Sequence, residues 1–551
     1  AAANLGIVQS DLGHYEDALG SFRKAQSWNP NLAEGYKCMG DTYKHVNKWV
    51  DATEQYEHAL RVRPNYVEAL NDMVHALQHT CEWEKWSKSF EALVAALEKE
   101  FQEGRKPLFV KPFHALVYPL DPRHMLLVAQ SYAARAVRLT KSLVRTPLPL
   151  HFELGKNHAL RIGYVSSNIG DHSLSHLMQN VFGMHGKRTK VYVFALNPDD
   201  KSRYRQKIRS DVGSKRFFDG STMSGVAVGR QVNSHKIHVL VDLVGYTGGG
   251  EKANEVFAVR PTPYALSYMG FCFSTGADYM NHMVVDRIVA PPENQAQFSE
   301  KMLLHPNSYF VADHRQSFAD VVQSLTNATR KEFDLPEKGP LLACHNQLYK
   351  IDPSTFDIWM SVLREQKDAH LWLLKFPQYA EKNIKKHAVS RGVEEHRLVM
   401  SNPVEKAKYM RRISVADVFL DTPLVNAHTS ATDALWAGLP ILTTPREPII
   451  SRVASSLLVT AGETTLLAST PDEYQRMLTQ LVAPGGGQRR LDEVRRQLAS
   501  ARHKTPLFDT SVVSMPISPD AQSIVGPQLR AGDFHGVGRT RCRVGCAHYR
   551  E

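Results

Sequence analysis

The run of residues best equipped for chemistry is Asp417 to Pro445, and within it His428, Thr429, Ser430 and Asp433. The pattern predicts a short strand at Val418, Phe419 and Leu420, a polar turn through Thr422 and Pro423, and a helix over Asp433 to Ala437. Gly438 and Pro440 stop that helix, and a new strand opens at Ile441 to Thr444. In such a unit the turn sits at the carboxyl end of a sheet, and the N–H groups that open the helix point at whatever lies outside it. Thr429 and Ser430 would add hydroxyl donors to that positive end and His428 a ring donor, while Asp433 could accept from a sugar hydroxyl. Together they suit a nucleoside diphosphate. The same letters also spell an ordinary capping box, Ser430-x-x-Asp433, with His428 as a loop residue.

Such a turn needs a sheet to present it. Leu160 to Ser167 reads as a buried strand ending in small polar residues, and Gly170, Asp171 and His172 then open a helix, so a second glycine turn lies at a strand's carboxyl end. Val191 to Leu196, His238 to Val244 and Ala265 to Tyr268 supply further strands between helical stretches. Residues 159–315 are therefore expected to form one α/β domain and residues 340–515 a second, with strands near Leu341 to Cys344, His370 to Leu374, Leu398 to Met400 and the opening stretch. The polar segment 316–339 reads as a short linker. Two such domains in series place a cleft between two polar strand ends.

At 551 residues the chain exceeds one core. Its 43% hydrophobic and 22% charged residues are those of a soluble globular protein. The net charge of +11 would permit polyanion contact. The basic residues are scattered, however, and pairs such as Lys187-Arg188 and Arg489-Arg490 are ordinary solvated faces, so neither nucleic acid nor a membrane surface is expected as a partner. The six cysteines, Cys38, Cys81, Cys272, Cys344, Cys542 and Cys546, follow no framework and suit a reducing compartment. Cys542 and Cys546 lack a second ligand pair for zinc. Asp199-Asp200 follows Asn-Pro and reads as a solvated turn, so no metal site is expected. No signal peptide and no run of eighteen apolar residues is present.

Residues 1–103 repeat with a period of 34: Leu5, Gly6, Tyr15, Ala18, Phe22, Ala25 and Pro30 return as Met39, Gly40, Trp49, Ala52, Tyr56, Ala59 and Pro64, with an echo at Met73, Trp83 and Phe90. That is the tetratricopeptide pattern, in which helix pairs stack into a superhelix whose concave face grips extended peptides. A scaffold or dimerisation arm is the alternative for this segment. The abrupt start at Ala1 reads as the tail of a longer array, with oligomerisation possible through missing upstream repeats. Residues 104–158 read as a proline-punctuated helical connector.

At this point the blocks resemble a known family. The array, Arg161-Ile-Gly-Tyr-Val-Ser-Ser with Gly-Asp-His172, Gly245-Tyr-Thr247, Arg260-Pro-Thr-Pro, Asn346-Gln-Leu-Tyr-Lys350-Ile-Asp-Pro, Leu371-Trp-Leu-Leu, and Leu420-Asp-Thr-Pro through Gly438 resemble the protein O-linked N-acetylglucosamine transferases over the repeats to about Phe508. The resemblance implies an α/β fold with a GT-B pair of Rossmann-like domains behind an all-α tetratricopeptide superhelix. It implies UDP-GlcNAc as donor, serine or threonine of nuclear and cytoplasmic proteins as acceptor, inversion at the anomeric carbon, and no metal or other cofactor. Carried over position by position, Lys350 matches the lysine that meets the diphosphate and Gln347 a phosphate-side donor. Lys406 and Asp433 match residues at the uridine and its ribose, and His428, Thr429 and Ser430 match the diphosphate donors. His172 matches a histidine near the reacting atoms, with a base or proton-relay role or an orienting one; His176 and His238 read as structural.

The chain also departs from that pattern. Tyr409 stands where animal enzymes carry a histidine against the uracil, and a phenol can still stack there. Cys272 and Phe273 replace Pro-Gly in a loop near the sugar, and Arg446 replaces a glycine and is expected to narrow the site. The segment between the catalytic halves is short, as in plant, protist or bacterial members. Residues 516–551, rich in Pro, Gly, Arg and Cys, show no helical periodicity and are expected to be disordered. Two other readings stand beside the main one: a protein O-fucosyltransferase of the same superfamily using GDP-fucose, and a catalytically dead tetratricopeptide adaptor.

Overall fold

The computed structural model describes residues 1–144, 146–150, 159–485 and 487–513; the tail of 516–551 lies outside the described residues. The chain opens with antiparallel helix pairs: Ala2–Asp11 with Tyr15–Trp28, Ala33–His45 with Trp49–Val62, and Val67–Thr80 with Trp83–Gln102. Small residues sit where paired helices cross because a ring fills the space. A Cβ on Gly40 would lie 2.6 Å from Cε1 of Tyr56, which is itself fully buried. Gly20 is exposed and a Cβ there meets nothing within 4 Å. Gly40→Ala should therefore destabilise by about 1–3 kcal/mol through overpacking, whereas Gly20→Ala should stabilise by roughly 0.5–1 kcal/mol through helix propensity. Thermal melts of the two variants check the opposite signs.

Helices Pro112–Val117 and Pro122–Leu143 follow the array. They bury Leu116, Val117, Met125 and Val128 against Phe271 and Phe273 of one α/β domain and Leu424 and Ile450 of the other, so the connector packs on both.

The first sheet contains β1 (Leu160–Ser166), β2 (Thr189–Ala195), β3 (Phe217–Asp219), β4 (Val239–Asp242), β5 (Tyr264–Ser267), β6 (His282–Asp286) and β7 (Lys301–His305), in the order β3-β2-β1-β4-β5-β6-β7. The second contains β8 (Leu341–Cys344), β9 (His370–Leu374), β10 (Leu398–Ser401), β11 (Val418–Leu420) and β12 (Ile441–Leu442), in the order β10-β9-β8-β11-β12. Every strand pair in both sheets is parallel. Order reverses beside β1 in one sheet and beside β8 in the other, and ligand crevices of such sheets open at the carboxyl ends near those points. This is an α/β fold with two Rossmann-like sheets behind a helical array.

Three strands escape the apolar pattern. β3 spans three residues, β6 starts on a polar His282, and β7 runs from an exposed Lys301 through three half-buried positions to a buried His305. The segment expected as a linker at 316–339 is packed instead. Phe318, Val321 and Leu335 are buried, Phe318 O accepts from Trp436 Nε1 at 3.1 Å, and Arg330 pairs with Asp417 at 2.6 Å.

Candidate functional site

The carboxyl end of β11 is tied down by a buried carboxylate. Asp421 accepts from Ala427 N–H and from the Thr443 hydroxyl, both at 2.6 Å, and burial pushes its pKa up to about 6. The loop so fixed delivers the helix Thr429–Ala437, whose N-cap residue His428 makes no side-chain capping bond among the described residues. Ser430 donates its hydroxyl to Asn346 Oδ1 at 2.9 Å, and Asn346 donates in turn to the Thr422 hydroxyl at 2.6 Å. Asp433 turns elsewhere, so the capping box is not formed. The positive helix end is left for a ligand.

Lys350 reaches this loop from the turn Leu348–Lys350 that follows β8, and its Nζ donates to Asn426 O at 3.3 Å. Burial pulls its pKa below the ordinary lysine value, with the charge of Asp421 working against the shift. A desolvated ammonium whose hydrogen bond among the described residues is to one carbonyl is an anion site in waiting. Gln347 starts the same turn, half-buried, and its carbonyl accepts from Lys350 N–H at 2.9 Å.

His428 differs from its expected role. Burial drives its pKa down to about 3, so the ring is neutral, and Nδ1–H donates to Asn426 O at 2.8 Å. Nε2 is then an acceptor, with the Cys272 thiol 3.4 Å away. The ring donor expected for a phosphate is directed at the loop's own backbone, and His428 holds the loop shape that frees the helix end.

One turn into the helix, Asp433 forms a buried trio. Its Oδ1 accepts from His314 Nε2 at 2.6 Å and lies 3.0 Å from Lys406 Nζ. Burial raises the Asp433 pKa, but Lys406 and His314 outweigh it and hold the carboxyl below its ordinary value. Burial likewise keeps His314 neutral. Lys406 also lies 5.2 Å from the centroid of the Phe318 ring. Both close contacts fall on Oδ1. Tyr409, one turn beyond Lys406, stands 5.6 Å from the ring of His345, and the Tyr409 hydroxyl is buried without a hydrogen-bond partner among the described residues.

The opposite wall carries His172 as the N-cap of Ser173–Met178. Its Nδ1 accepts from Leu174 N–H at 3.1 Å, which places the proton of the neutral ring on Nε2. Burial lowers its pKa, so the ring is neutral near pH 7. The base role expected for His172 requires the other tautomer; as it stands, the ring is a donor. His176 bonds Asp171 at 2.8 Å and burial lowers its pKa, and the 3.4 Å contact of Cys272 with His428 brings the polar ends of the two sheets together. His238 accepts from Arg161 N–H at 3.0 Å within the first sheet. Arg446, expected to narrow the site, reaches Asp352 at 3.5 Å.

The family model for glycosyl transferase family 41 matches residues 80–327 and 319–517. The chain belongs to this family. The probable UDP-N-acetylglucosamine-peptide N-acetylglucosaminyltransferase SEC of Arabidopsis thaliana is 37% identical over 446 residues, covering 80% of this chain and 45% of the relative. The UDP-N-acetylglucosamine-peptide N-acetylglucosaminyltransferase of Caenorhabditis elegans is 29% identical, covering 78% and 47%. The chain thus spans about half the length of the curated relatives it matches. A mutant O-GlcNAc transferase of Thermobaculum terrenum shares the fold, with a TM-score of 0.69 at 22% identity over 96% of this chain and 90% of that one.

In this family 41 chain the structure brings together Lys350, His428, Thr429 and Ser430 around one loop, and Lys406 with Asp433 beside it. Sequence reasoning passed over His314, Asn346 and Asn426 as contact residues. His314 sits in a segment that reads as a domain edge, and nothing in its neighbours signals a partner 119 residues away.

Proposed function

We propose that this chain carries the catalytic region of an inverting glycosyltransferase that moves N-acetylglucosamine from UDP-GlcNAc to serine or threonine hydroxyls of nuclear and cytoplasmic proteins. The observation that carries the reading is the uncapped start of Thr429–Ala437 with Lys350 beside it and the Asp433–Lys406 pair one turn further on. The names of the plant and nematode relatives support the donor and the peptide acceptor.

In this reading the acceptor oxygen bonds to the anomeric carbon from the face opposite UDP, the bond from that carbon to the β-phosphate oxygen breaks, and the proton of the acceptor hydroxyl passes to solvent as the new bond forms. Negative charge grows on the diphosphate. Lys350 and the N–H groups of Thr429 and Ser430 meet that charge, and a charge-assisted contact of about 1.5–3 kcal/mol that strengthens in the transition state raises turnover. Asp433, with Oδ1 occupied by His314 and Lys406, offers Oδ2 to a ribose hydroxyl. Tyr409 supplies a ring face to the base. His172 presents Nε2–H and orients donor or acceptor. The repeat array holds the acceptor as an extended segment along its concave face.

No metal enters this scheme, because a lysine and a helix end meet the diphosphate charge. EDTA is expected to leave turnover unchanged, and a strict Mn²⁺ requirement would contradict it. No described helix is long and apolar enough to cross a membrane. Incubating the chain with a serine-rich peptide and either UDP-GlcNAc or GDP-fucose tests the function: intact mass should show an added N-acetylhexosamine with the first donor alone. Fucose transfer, or no transfer alongside undetectable UDP binding, would overturn the reading.

A further inference from the structure

The turn that carries Lys350 is held from two directions. On the sheet side, Leu348 N–H donates to Phe376 O at 2.9 Å. On the other side lies the end of the helix Val67–Thr80, the last inner helix of the array. Gln78, buried, donates its amide to Tyr349 O at 3.3 Å and to Val117 O at 2.6 Å. The Cys81 thiol, at that helix's C-cap, meets Leu348 O at 3.6 Å. The ring of His79 lies between Trp49 and Tyr349, at 4.0 Å and 4.4 Å centroid to centroid, stacked on both. The same helix end is fixed to the second domain by Asn383, which donates to Thr80 O at 2.8 Å, and by His387, which bonds Cys81 O at 2.9 Å. Two consecutive carbonyls of the turn and the ring beside Lys350 are thus placed by the array.

We propose that the last inner helix of the repeat array, through Gln78 and His79, positions Lys350 for diphosphate charge stabilisation, so that the array acts on the donor half of the reaction as well as on the acceptor. The proposal rests on the reading of Lys350 given above. Gln78 and His79 are positioning residues: neither reaches the donor, and each acts through the backbone or ring of Tyr349. His79 serves by its flat face, since its Nδ1 is buried without a hydrogen-bond partner among the described residues and its ring stays neutral, burial lowering its pKa to about 3. Shape, not charge, is what the stack requires. A groove that only binds peptide has no reason to change what happens to UDP-GlcNAc when no peptide is present.

The test uses the full chain with His79→Ala, His79→Phe and Gln78→Met. Two readouts are taken: acceptor-free hydrolysis of UDP-GlcNAc, and hydrogen exchange at the amides of residues 347–351. His79→Ala and Gln78→Met should each slow hydrolysis by about tenfold or more, the scale on which small misplacements act, and should quicken exchange in the turn. His79→Phe should restore both. Slowed peptide glycosylation with unchanged hydrolysis and unchanged exchange would overturn the proposal, and so would parental values of both readouts in His79→Ala. If one variant fails to fold, as seen by its thermal melt, the other carries the same comparison. If Lys350→Met hydrolyses UDP-GlcNAc as fast as the parent, the reading of Lys350 fails, while exchange in the turn still decides whether the array braces it.

Discussion

Lys350→Met lowers turnover by about 10²–10³-fold while leaving the chain folded, the range seen when one preorganised group facing developing charge is removed. The thioether keeps the length of the side chain and removes the cation. Stability should hold or rise. Burial already pulls the Lys350 pKa down, so the folded state works against this charge and loses little when it is removed. The two measurements, kcat for donor hydrolysis and a thermal melt, therefore move independently. Loss of activity with an unchanged melt assigns the effect to chemistry; unchanged kcat removes Lys350 from the mechanism.

Asp433→Asn has the second largest expected effect, and it acts on stability and on binding together. The carboxylate and the Lys406 ammonium are 7% and 10% exposed in their side chains, so removing the negative partner leaves a buried cation without compensation. Such a break costs about 3–5 kcal/mol, and the lower end applies because an amide still accepts from His314. UDP affinity should fall by about tenfold to a hundredfold as a charged acceptor for the ribose becomes neutral. Adding Lys406→Met should recover stability without recovering affinity. The pH dependence follows from the sign of the shift. With the folded-state pKa of Asp433 held below its ordinary value, the contribution of the pair is complete above about pH 4 and is lost as pH falls through the lower folded value. Denaturant melts of the parent, single and double variants between pH 3 and 7 check both points.

Much of this architecture is legible in the sequence because its signals are local. β8, β9 and β11 are short apolar runs bounded by polar turns, as buried parallel strands are, and their limits coincide with the residues picked from the pattern. The pairing of Gly40 with Tyr56 follows from a repeat that alternates small and aromatic residues at fixed offsets. The site is legible only in part. The helix after β11 ends at Ala437 as its pattern indicates but opens at Thr429 rather than Asp433, and the side chains around it are satisfied across long stretches of chain: Ser430 by Asn346, 84 residues away, and Asp433 by His314, 119 away. No period encodes such contacts. The capping box failed for that reason, since tertiary partners displaced the local ones. The tautomers of His172 and His428 depend on which backbone group each Nδ1 meets, which spacing cannot express. β3 and β7 lie at the sheet's edges, where half-buried strands lose the continuous apolar signature.

The claim on which the rest depends is that Lys350 and the start of Thr429–Ala437 hold the β-phosphate. Calorimetric titration of UDP and UMP into the parent chain and into Lys350→Met isolates that phosphate, because the two ligands differ by it alone. The account predicts that the parent prefers UDP and that the preference shrinks at least tenfold in the variant, while UMP binds both equally, a change of about 1.4 kcal/mol or more in the β-phosphate contribution. An identical UDP-to-UMP ratio in the two proteins would contradict it.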